Sequence, residues 1–371
     1  MRPYDYLIVG AGFFGAVFAY EASMRGKRCL VIDRRPHIGG NAFCENISGI
    51  TVHKYGPHIF HTNSLKIWRY VNKFAEFNRF VNSPLALYKG RIYNLPFNMN
   101  TFYQLWGVVT PAEAQKKLKE ETAPYKHILP SNLEEQALML VGRDIYEIFI
   151  KGYTEKQWGR PCNMLPPSII RRIPMRFTYD NSYFSDAYQG IPCGGYNNIF
   201  EKLLSGCEVR LSVDFSCDKK IDALADRVVY TGPLDEYFAY CYGPLEYRSL
   251  KFETSLIYSS NYQGNAVVNY TEFNIPYTRI IEHKHFDFGM QPNTVITKEF
   301  PAEWSLDCEP FYPVENDYNL KLYSKYAALA RREINVIFGG RLAEYKYYNM
   351  DEVVGKALSI ARSELGDDEE L

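Results

Sequence analysis

The chain has 371 residues and a mass of 43.0 kDa, a length typical of two or three domains. Its 42 basic and 43 acidic residues give a formal net charge of -1, so it lacks the basic excess of a general nucleic-acid or anionic-membrane binder. It contains no run of about 18 apolar residues, which excludes a transmembrane helix. The 31 tyrosines are unusual, and they indicate that rings and phenol hydroxyls line a site as well as fill the core.

The N-terminal residues predict a β-α-β unit. Residues 4–9 form an apolar strand that ends at a glycine, residues 13–25 have helical spacing, and residues 28–32 form a second apolar strand. The opening stretch is superficially similar to a signal peptide, but it lacks a small-residue cleavage site. We therefore expect a buried parallel sheet with a ligand-binding turn at its first corner.

The turn carries the spacing Gly10-x-Gly12-x-x-Gly15. Gly10 permits the tight turn, Gly12 lets the backbone approach a pyrophosphate, and Gly15 lets the helix pack closely on the strand. The pyrophosphate is expected at the helix N-terminus, where free amides and the helix dipole favour an anion. Asp33 ends the second strand, where its carboxylate is placed to accept hydrogen bonds from a ribose. A tight turn without a ligand is the alternative, and Asp33 argues against it.

The residues after Asp33 favour FAD over NAD. A second glycine pair, Gly39-Gly40, is followed by Asn41. This arrangement is typical of flavoproteins of the glutathione-reductase and amine-oxidase type, and a simple nicotinamide dehydrogenase does not need it. A later glycine pair precedes Arg341, and a helix is predicted to begin near Met350. The dipole of that helix would stabilise negative charge on a reduced flavin, or the helix is an ordinary capped one.

The rest of the chain changes character twice. Residues from about 100 to 175 are mostly helical, with capping boxes that begin at Thr110 and Ser131. Residues from about 176 to 315 alternate in the manner of β-strands. Two further helices are predicted, from Tyr318 to Phe338 and from Met350 to Arg362.

Three histidines surround a Gly-Pro turn, at His53, His58 and His61. A metal site would need an acidic ligand at a suitable spacing, and none is present, so no metal is predicted. A histidine that hydrogen bonds a flavin and an ordinary loop histidine both remain open.

Two further groups suit a nucleotide. Phe149, Tyr153 and Trp158 follow one another closely enough to form a stacking slot for a flat base, although core packing explains them equally well. Arg172 lies in a proline-bounded segment, and Arg279 follows a tyrosine far along the chain. Together these arginines suit a diphosphate, and separately they would be surface charges.

No side chain is in a pattern typical of a catalytic nucleophile. The eight cysteines are scattered, which is typical of reduced thiols in the cytoplasm, and Cys193 has no activating base near it in sequence. The difficult chemistry is therefore assigned to the cofactor.

These motifs together resemble the prokaryotic UDP-galactopyranose mutases over essentially the whole chain. The segments that carry the resemblance are Gly10-x-Gly12-x-x-Gly15, Gly56-Pro-His-Ile-Phe-His61-Thr, Tyr93-Asn-Leu-Pro-Phe97-Asn, Gly152-Tyr-Thr-Glu-Lys-Gln-Trp158-Gly, Arg172-Ile-Pro-x-Arg176-Phe, Tyr277-Thr-Arg279, Lys298-Glu-Phe-Pro, Tyr312-Pro-Val and Gly340-Arg-Leu-x-x-Tyr345. The Gly-Pro-His and Tyr-Thr-Glu-Lys-Gln-Trp segments are specific, whereas the glycine fingerprint is shared widely.

The resemblance implies an α/β protein with three parts. An FAD-binding Rossmann-type domain would comprise residues 1–80, about 190–245 and 318–371. A helical domain with a mobile lid would comprise about 98–175, and an antiparallel β-sheet domain about 81–97, 176–189 and 246–317.

The reaction implied by the resemblance interconverts UDP-galactopyranose and UDP-galactofuranose without net redox change, although it needs reduced FAD. N5 of the flavin would attack the anomeric carbon and displace UDP, and the covalent adduct would open, reclose and accept UDP again. This activity would supply galactofuranose for surface polysaccharide. The resemblance also implies a cytoplasmic homodimer that receives electrons from an external reductant.

Roles for individual residues follow from the same resemblance. Arg172, Arg279 and His61 are implied to be catalytic, with the two arginines on the diphosphate and Arg172 in the lid. The implied cofactor residues are Gly10, Gly12, Phe14, Gly15, Asp33, Arg34, Gly40, Asn41, His58, His61, Val213, Arg341, Asn349 and Met350. The implied substrate residues are Asn82, Phe149, Tyr153, Trp158, Arg172, Tyr183, Phe184, Asn198, Arg279, Glu299, Tyr312 and Tyr347.

One position departs from the pattern. Many relatives have Tyr-x-Asp-Met-Asp where this chain has Tyr347-Tyr-Asn349-Met-Asp351. The change removes a charge near the flavin and substrate, so the flavin potential and the sugar preference are open. Two rivals are an oxidase or dehydrogenase on the same scaffold and a non-catalytic nucleotide-sugar or flavin-binding protein. The distant arginines and the aromatic slot argue against both.

Overall fold

The computed structural model describes residues 2–170, 173–217 and 219–366. The helices in these ranges are α1 (Phe13–Met24), α2 (Leu65–Asn72), α3 (Met99–Trp106), α4 (Pro111–Thr122), α5 (Leu133–Ile145), α6 (Gly152–Trp158), α7 (Asn197–Leu204), α8 (Leu234–Tyr237), α9 (Asp317–Ala330) and α10 (Met350–Leu365). The strands are β1 (Tyr4–Val9), β2 (Cys29–Asp33), β3 (Cys44–Ile47), β4 (Ile50–His53), β5 (Phe60–Thr62), β6 (Leu85–Tyr88), β7 (Arg91–Asn94), β8 (Tyr188–Gly190), β9 (Glu208–Leu211), β10 (Ala225–Tyr230), β11 (Tyr247–Ile257), β12 (Val267–Tyr270), β13 (Arg279–Glu282), β14 (Thr294–Glu303), β15 (Tyr312–Pro313) and β16 (Val336–Phe338).

The predicted β-α-β unit forms the centre of a five-stranded parallel sheet. Its strand order is β16-β10-β1-β2-β9, and every neighbouring pair is parallel. The apolar strands β1 and β2 are covered on both faces, as parallel strands require. On one face α1 packs against α7 and α10, with Phe18, Phe200 and Val354 in the shared core.

A seven-stranded sheet stands beside the first. Its order is β15-β11-β14-β13-β12-β6-β7, antiparallel except where β12 runs parallel to β6. The long pair β11 and β14 forms its middle, and β12 and β13 form a hairpin that carries Arg279. The Rossmann-type sheet together with this sheet confirms the predicted fold class.

Helices α3 to α6 gather around a separate core that includes Phe102, Leu138 and Tyr146. Gly142 interrupts α5 with a φ of 76°, and its Cα faces the backbone of Glu121. A π-helical segment, Tyr146–Lys151, then leads into α6. Such segments are frequent at functional sites, and this one contains Phe149. The three-part division of the chain into domains stays a proposal.

Some local predictions were wrong. The helix predicted to run to Phe338 ends at Ala330, and residues 336–338 instead form β16 beside β10, where apolar residues complete the sheet edge. The N-cap predicted at Ser131 is Asn132, whose side chain accepts from the amide of Glu135. The capping box at Thr110 is confirmed. Among the described residues, no helix has the length and apolar character needed to cross a membrane.

Candidate active site

One cavity of about 1620 Å³ lies between the carboxyl ends of the parallel strands and the antiparallel sheet. It is larger than the roughly 300–1,000 Å³ of most small-molecule sites, so it has room for two ligands together. Eight of the 31 tyrosines line it, which agrees with the expectation from composition. They are Tyr55, Tyr153, Tyr183, Tyr230, Tyr247, Tyr312, Tyr347 and Tyr348.

The glycine turn forms one end of this cavity. Gly10 has a φ of 109°, and a Cβ on Gly15 would lie 2.0 Å from the carbonyl oxygen of Gly10. Gly12 caps α1 with extended backbone and no side-chain acceptor, so the helix amides point into open space. Gly40 approaches it so closely that a Cβ there would lie 3.2 Å from the Cα of Gly12. This bare backbone cradle fits the pyrophosphate of a dinucleotide cofactor.

Asp33 holds the turn in shape. Its two oxygens accept from the amides of Ala11 at 2.8 Å and Arg35 at 2.9 Å, and the side chain lines the cavity. The carboxylate therefore connects the first turn to the loop after β2. Each oxygen keeps a lone pair, so the ribose contact stays a prediction. The amide of Val213 donates to the carbonyl of Asp33, which brings the end of β9 to the same place.

Two predicted cofactor residues after β2, Arg34 and Asn41, are oriented by contacts with charged side chains. Guanidinium nitrogens of Arg34 lie 3.6 Å from a carboxylate oxygen of Glu236 and 3.4 Å from a carboxylate oxygen of Glu309. Arg35 donates to Asn41 at 3.0 Å and also pairs with Glu309. Both Arg34 and Asn41 line the cavity, where these contacts set their orientation.

Buried histidines connect the Gly-Pro turn to the second sheet. The amide of His58 donates to Nδ1 of His53, and the amide of His53 donates to Nδ1 of His283, both at 3.2 Å. Burial lowers the pKa of His58 to about 4 and of His283 to about 3, and it lowers the pKa of His53 strongly. These rings are neutral at pH 7. Among the described residues, no group of three or more His, Cys, Asp or Glu is arranged to hold a metal.

His58 lies in the cavity between Arg341 on one side and Arg279 on the other. Its Nδ1 is 2.9 Å from the carbonyl of Gly56 and therefore donates, which leaves Nε2 as an acceptor. After burial, the charges of Arg341 and Arg279 lower the pKa of His58 further, so both arginines are near it. The Gly-Pro turn thus separates the cofactor end from the arginine of the hairpin.

His61 belongs to an arrangement that the sequence did not predict. Its Nδ1 is 2.8 Å from a carboxylate oxygen of Asp186, and its ring stacks on Phe184 at 3.7 Å. The second oxygen of Asp186 accepts from Asn63 at 2.6 Å. The aspartate therefore fixes the ring orientation of His61 at the wall of the cavity.

Arg279 is a half-buried cation at the opposite end of the cavity. Its Nε is 3.0 Å from Glu299, which is 2% exposed and also accepts from the hydroxyl of Thr278 at 3.1 Å. Burial opposes its charge, but the carboxylate of Glu299 and the surrounding tyrosine hydroxyls together offset that effect, so the pKa of Arg279 is raised. The hydroxyls of Tyr153 and Tyr312 lie near this guanidinium, and burial raises their pKa values. The site thus combines a fixed cation with protonated phenols.

The aromatic residues of the predicted base slot also reach the cavity. Phe149, Tyr153 and Trp158 all line it, and Phe149 is fixed by ring contacts with Tyr93 at 5.1 Å and Phe97 at 5.3 Å. They come from the π-helical segment and from α6. The alternative that these rings only fill a core does not hold for the faces that line the cavity.

The C-terminal segment closes the site. Arg341 donates to the carbonyl of Phe311 at 2.8 Å, and its guanidinium lies 5.9 Å from the ring centre of Tyr347. Asn349 and Met350 line the cavity where α10 begins, which confirms the predicted helix start. The amide of Asn349 donates to a carboxylate oxygen of Glu352 at 2.8 Å. The side chain of Asn349 therefore stands at the N-terminus of α10, which faces the site.

Comparison with known proteins identifies the family. A UDP-galactopyranose mutase family model matches residues 148–347, and an NAD(P)-binding Rossmann-like model matches residues 8–74. The chain is 39% identical over 366 residues to the "Probable UDP-galactopyranose mutase" of Klebsiella pneumoniae, covering 97% of this chain and 94% of that relative. The chain belongs to the UDP-galactopyranose mutase family. The predicted family and its isomerase class are thereby confirmed.

Two further matches extend this family assignment. The dTDP-fucopyranose mutase of Escherichia coli is 36% identical over 370 residues, covering 96% of this chain and 97% of that relative. A crystal structure of reduced UDP-galactopyranose mutase superposes with a TM-score of 0.76 at 16% identity, covering all of this chain and 95% of that one. The latter supports the fold, and the former shows that close relatives differ in their named substrate.

Most of the positions implied by the family resemblance converge on the cavity. All the predicted cofactor residues line it, as do the described substrate residues other than Asn198. Asn198 is exposed beside Gly194 on α7, because that helix turns Ile199 and Phe200 into the core and Asn198 away from it. Asn198 therefore does not line the cavity, and its role at the site stays a prediction. Arg172, like Arg171, lies outside the described residues.

Two residues were missed: Asn269, which lines the cavity, and Asp186, which contacts His61. Asn269 pairs with Arg279 across β12 and β13, and its side-chain oxygen is buried without a hydrogen-bond partner among the described residues. The alternation of Val267, Asn269 and Thr271 toward the cavity was a usable signal. Asp186 had none, because it lies in an irregular loop.

Proposed function

We propose that this protein interconverts UDP-galactopyranose and UDP-galactofuranose and that it requires reduced FAD. The observation that carries the proposal is the single cavity that joins a dinucleotide-binding turn to Arg279 and α6. The family assignment supports the same reaction. We also propose the predicted homodimer, the cytoplasmic location, the external reductant and the role in surface polysaccharide.

The residues at the glycine turn fit FAD. Gly12 and Gly40 would receive the pyrophosphate on bare backbone, and Asp33 would accept from the ribose. Arg341 and the N-terminus of α10 lie at the other side of the cofactor end. When bound in its reduced form, FAD supplies an electron-rich nitrogen, N5, as the nucleophile for the anomeric carbon of the sugar.

The chain's own residues would hold the nucleotide and the departing diphosphate. Phe149, Tyr153 and Trp158 would bind uridine, and Arg279 would stabilise the charge that develops on UDP. Because Glu299 compensates part of the charge of Arg279, a second cation is needed, and Arg172 is the proposed one. The buried tyrosines would donate neutral hydrogen bonds to phosphate oxygens, since their raised pKa values keep them protonated.

The two histidines of the cavity would act through hydrogen bonds. His58 stays neutral and presents an acceptor nitrogen between the two ends of the site. Asp186 would hold the Nδ1 proton of His61, so that its Nε2 is free to accept a hydrogen bond. Both histidines are therefore proposed to orient the cofactor and to exclude water.

The test is an incubation of the purified flavoprotein with UDP-galactofuranose, with and without dithionite, followed by chromatography of the nucleotide sugars. Conversion to UDP-galactopyranose only after reduction is the expected result. A parallel reaction contains dTDP-fucofuranose, because the relative from E. coli is named for that sugar. Faster conversion of the dTDP sugar would transfer the proposal to that substrate. Flavin bleaching by another substrate, with no isomerisation, would favour the oxidase rival.

A further inference from the structure

Lys156 is a buried lysine that makes no ion pair with a carboxylate among the described residues. It is 9% exposed, and its Nζ donates to the carbonyls of Tyr270 at 2.7 Å and Tyr277 at 2.9 Å. Burial lowers its pKa to about 8, which Glu272 opposes only in part. Removing an ammonium group from water costs free energy, and its two hydrogen bonds offset that cost only while the hairpin holds both carbonyls in place.

The two carbonyls belong to the two sides of one hairpin. Tyr270 ends β12, and Tyr277 lies two residues before β13, with the amide of Tyr270 donating to Thr278 at 2.8 Å. The ammonium of Lys156 therefore joins both sides of the hairpin at its loop end. Immediately beyond this point, Asn269 and Arg279 line the cavity.

The same helix face carries a second close contact with the hairpin. Gly152 lies one turn before Lys156, and a Cβ on Gly152 would approach the carbonyl oxygen of Thr271 to 2.4 Å. The other side of α6 presents Tyr153 and Trp158 to the cavity. Gly152 and Lys156 thus attach the helix of the base slot directly to the hairpin of Arg279.

We propose that Lys156 is a positioning residue that sets the distance between the base-binding helix and the diphosphate-binding arginine. This inference rests on the proposed function, which assigns α6 to the base and Arg279 to the diphosphate of one nucleoside diphosphate. We call these two parts of the site its half-sites. A ligand that spans both half-sites depends on their spacing. A ligand that occupies only one of them does not.

The test compares UDP with its separate halves on the FAD-loaded protein. Calorimetry gives the affinity for UDP, and ligand-observed NMR gives those for uridine and inorganic diphosphate. For Lys156→Met we expect UDP to bind at least about tenfold more weakly, while each half changes less than about twofold. The control is Lys151→Met, because Lys151 precedes α6 directly and its Nζ pairs with Glu147 at 3.4 Å. It should bind UDP like the unaltered protein.

Gly152→Ala provides an independent variant, since its methyl group would displace α6 from the hairpin without touching Lys156. It should show the same selective loss of UDP affinity. Unchanged UDP affinity in Lys156→Met would overturn the inference. Equal weakening of UDP and uridine, or loss of bound FAD, would show a general structural role and would also overturn it. Failure of the unaltered protein to bind UDP would instead reject the proposed function itself.

Discussion

The two ends of the cavity are built in different ways. At the cofactor end, Gly10, Gly12, Gly15 and Asp33 come from one continuous segment, and their roles follow from local backbone geometry. At the substrate end, Arg279 is surrounded by groups from α6, β14 and the segment around β15. A site made of backbone groups thus depends on local sequence, whereas a site made of charged side chains depends on long-range packing.

The largest expected effect is at the substrate end. Arg279→Ala should lower turnover on the order of a hundredfold, or about 3 kcal/mol in transition-state stabilisation, while FAD stays bound. The reason is that the buried carboxylate of Glu299 would lose its cation. The substrate diphosphate would also lose the positive charge of the arginine. Arg172→Ala is expected to act in the same direction. Steady-state kinetics and the flavin spectrum measure the two quantities, and near-normal turnover in either variant would reject this arginine pair.

The cofactor end should separate stability from binding. Gly15→Ala places a Cβ 2.0 Å from the carbonyl oxygen of Gly10. The variant should therefore lose about 2 kcal/mol of folding stability and should also lose bound FAD. Gly12→Ala has its nearest neighbour at 3.8 Å, so the fold should persist while the methyl group fills the cradle. Thermal unfolding and flavin content distinguish the two variants. Equal loss of stability in both would contradict the assigned roles.

The histidines between the two ends predict a pH dependence of stability. The pKa of His283 is lowered to about 3 and that of His58 to about 4, below the value near 6.5 in the unfolded chain. Below pH 6.5 the unfolded state therefore binds more protons, and stability falls as the pH decreases toward 4. Each of these histidines should cost about 2 kcal/mol at pH 5 relative to pH 8.

Denaturant unfolding between pH 4 and 8 tests this. His283→Gln removes one titrating group, so its stability should depend less steeply on pH over the same interval. A slope identical to that of the unaltered protein would show that His283 contributes nothing to it.

A smaller effect is expected where the two ends meet at His61. Asp186→Asn keeps the size of the side chain but removes the charge that favours the Nδ1 proton. The hydrogen bond to a charged group is worth about 1.5–3 kcal/mol, so we expect roughly a tenfold loss of kcat with little change in KM. Unchanged kinetics would show that the orientation of His61 does not matter.

Sequence patterns predicted the fold where local rules operate. The glycine spacing, the strand before it and the capping box at Thr110 each describe a segment whose geometry depends on near neighbours. The helix predicted from Tyr318 ends at Ala330, because residues 336–338 pair with β10 as the edge strand of the parallel sheet instead of continuing the helix. Asn198 lies outside the cavity for a similar reason, since its direction depends on which face of α7 is buried.

Sequence patterns were enough to identify the dinucleotide-binding turn, the family and a set of site residues, most of which line the cavity. Only the tertiary structure decided which of them meet: the pairing of Arg279 with Glu299, the contact of His61 with Asp186 and the link from Lys156 to the hairpin. The physical reason is range. Turns and caps depend on residues a few positions apart, whereas these three contacts join residues up to 125 positions apart in the chain, and no local pattern records those distances.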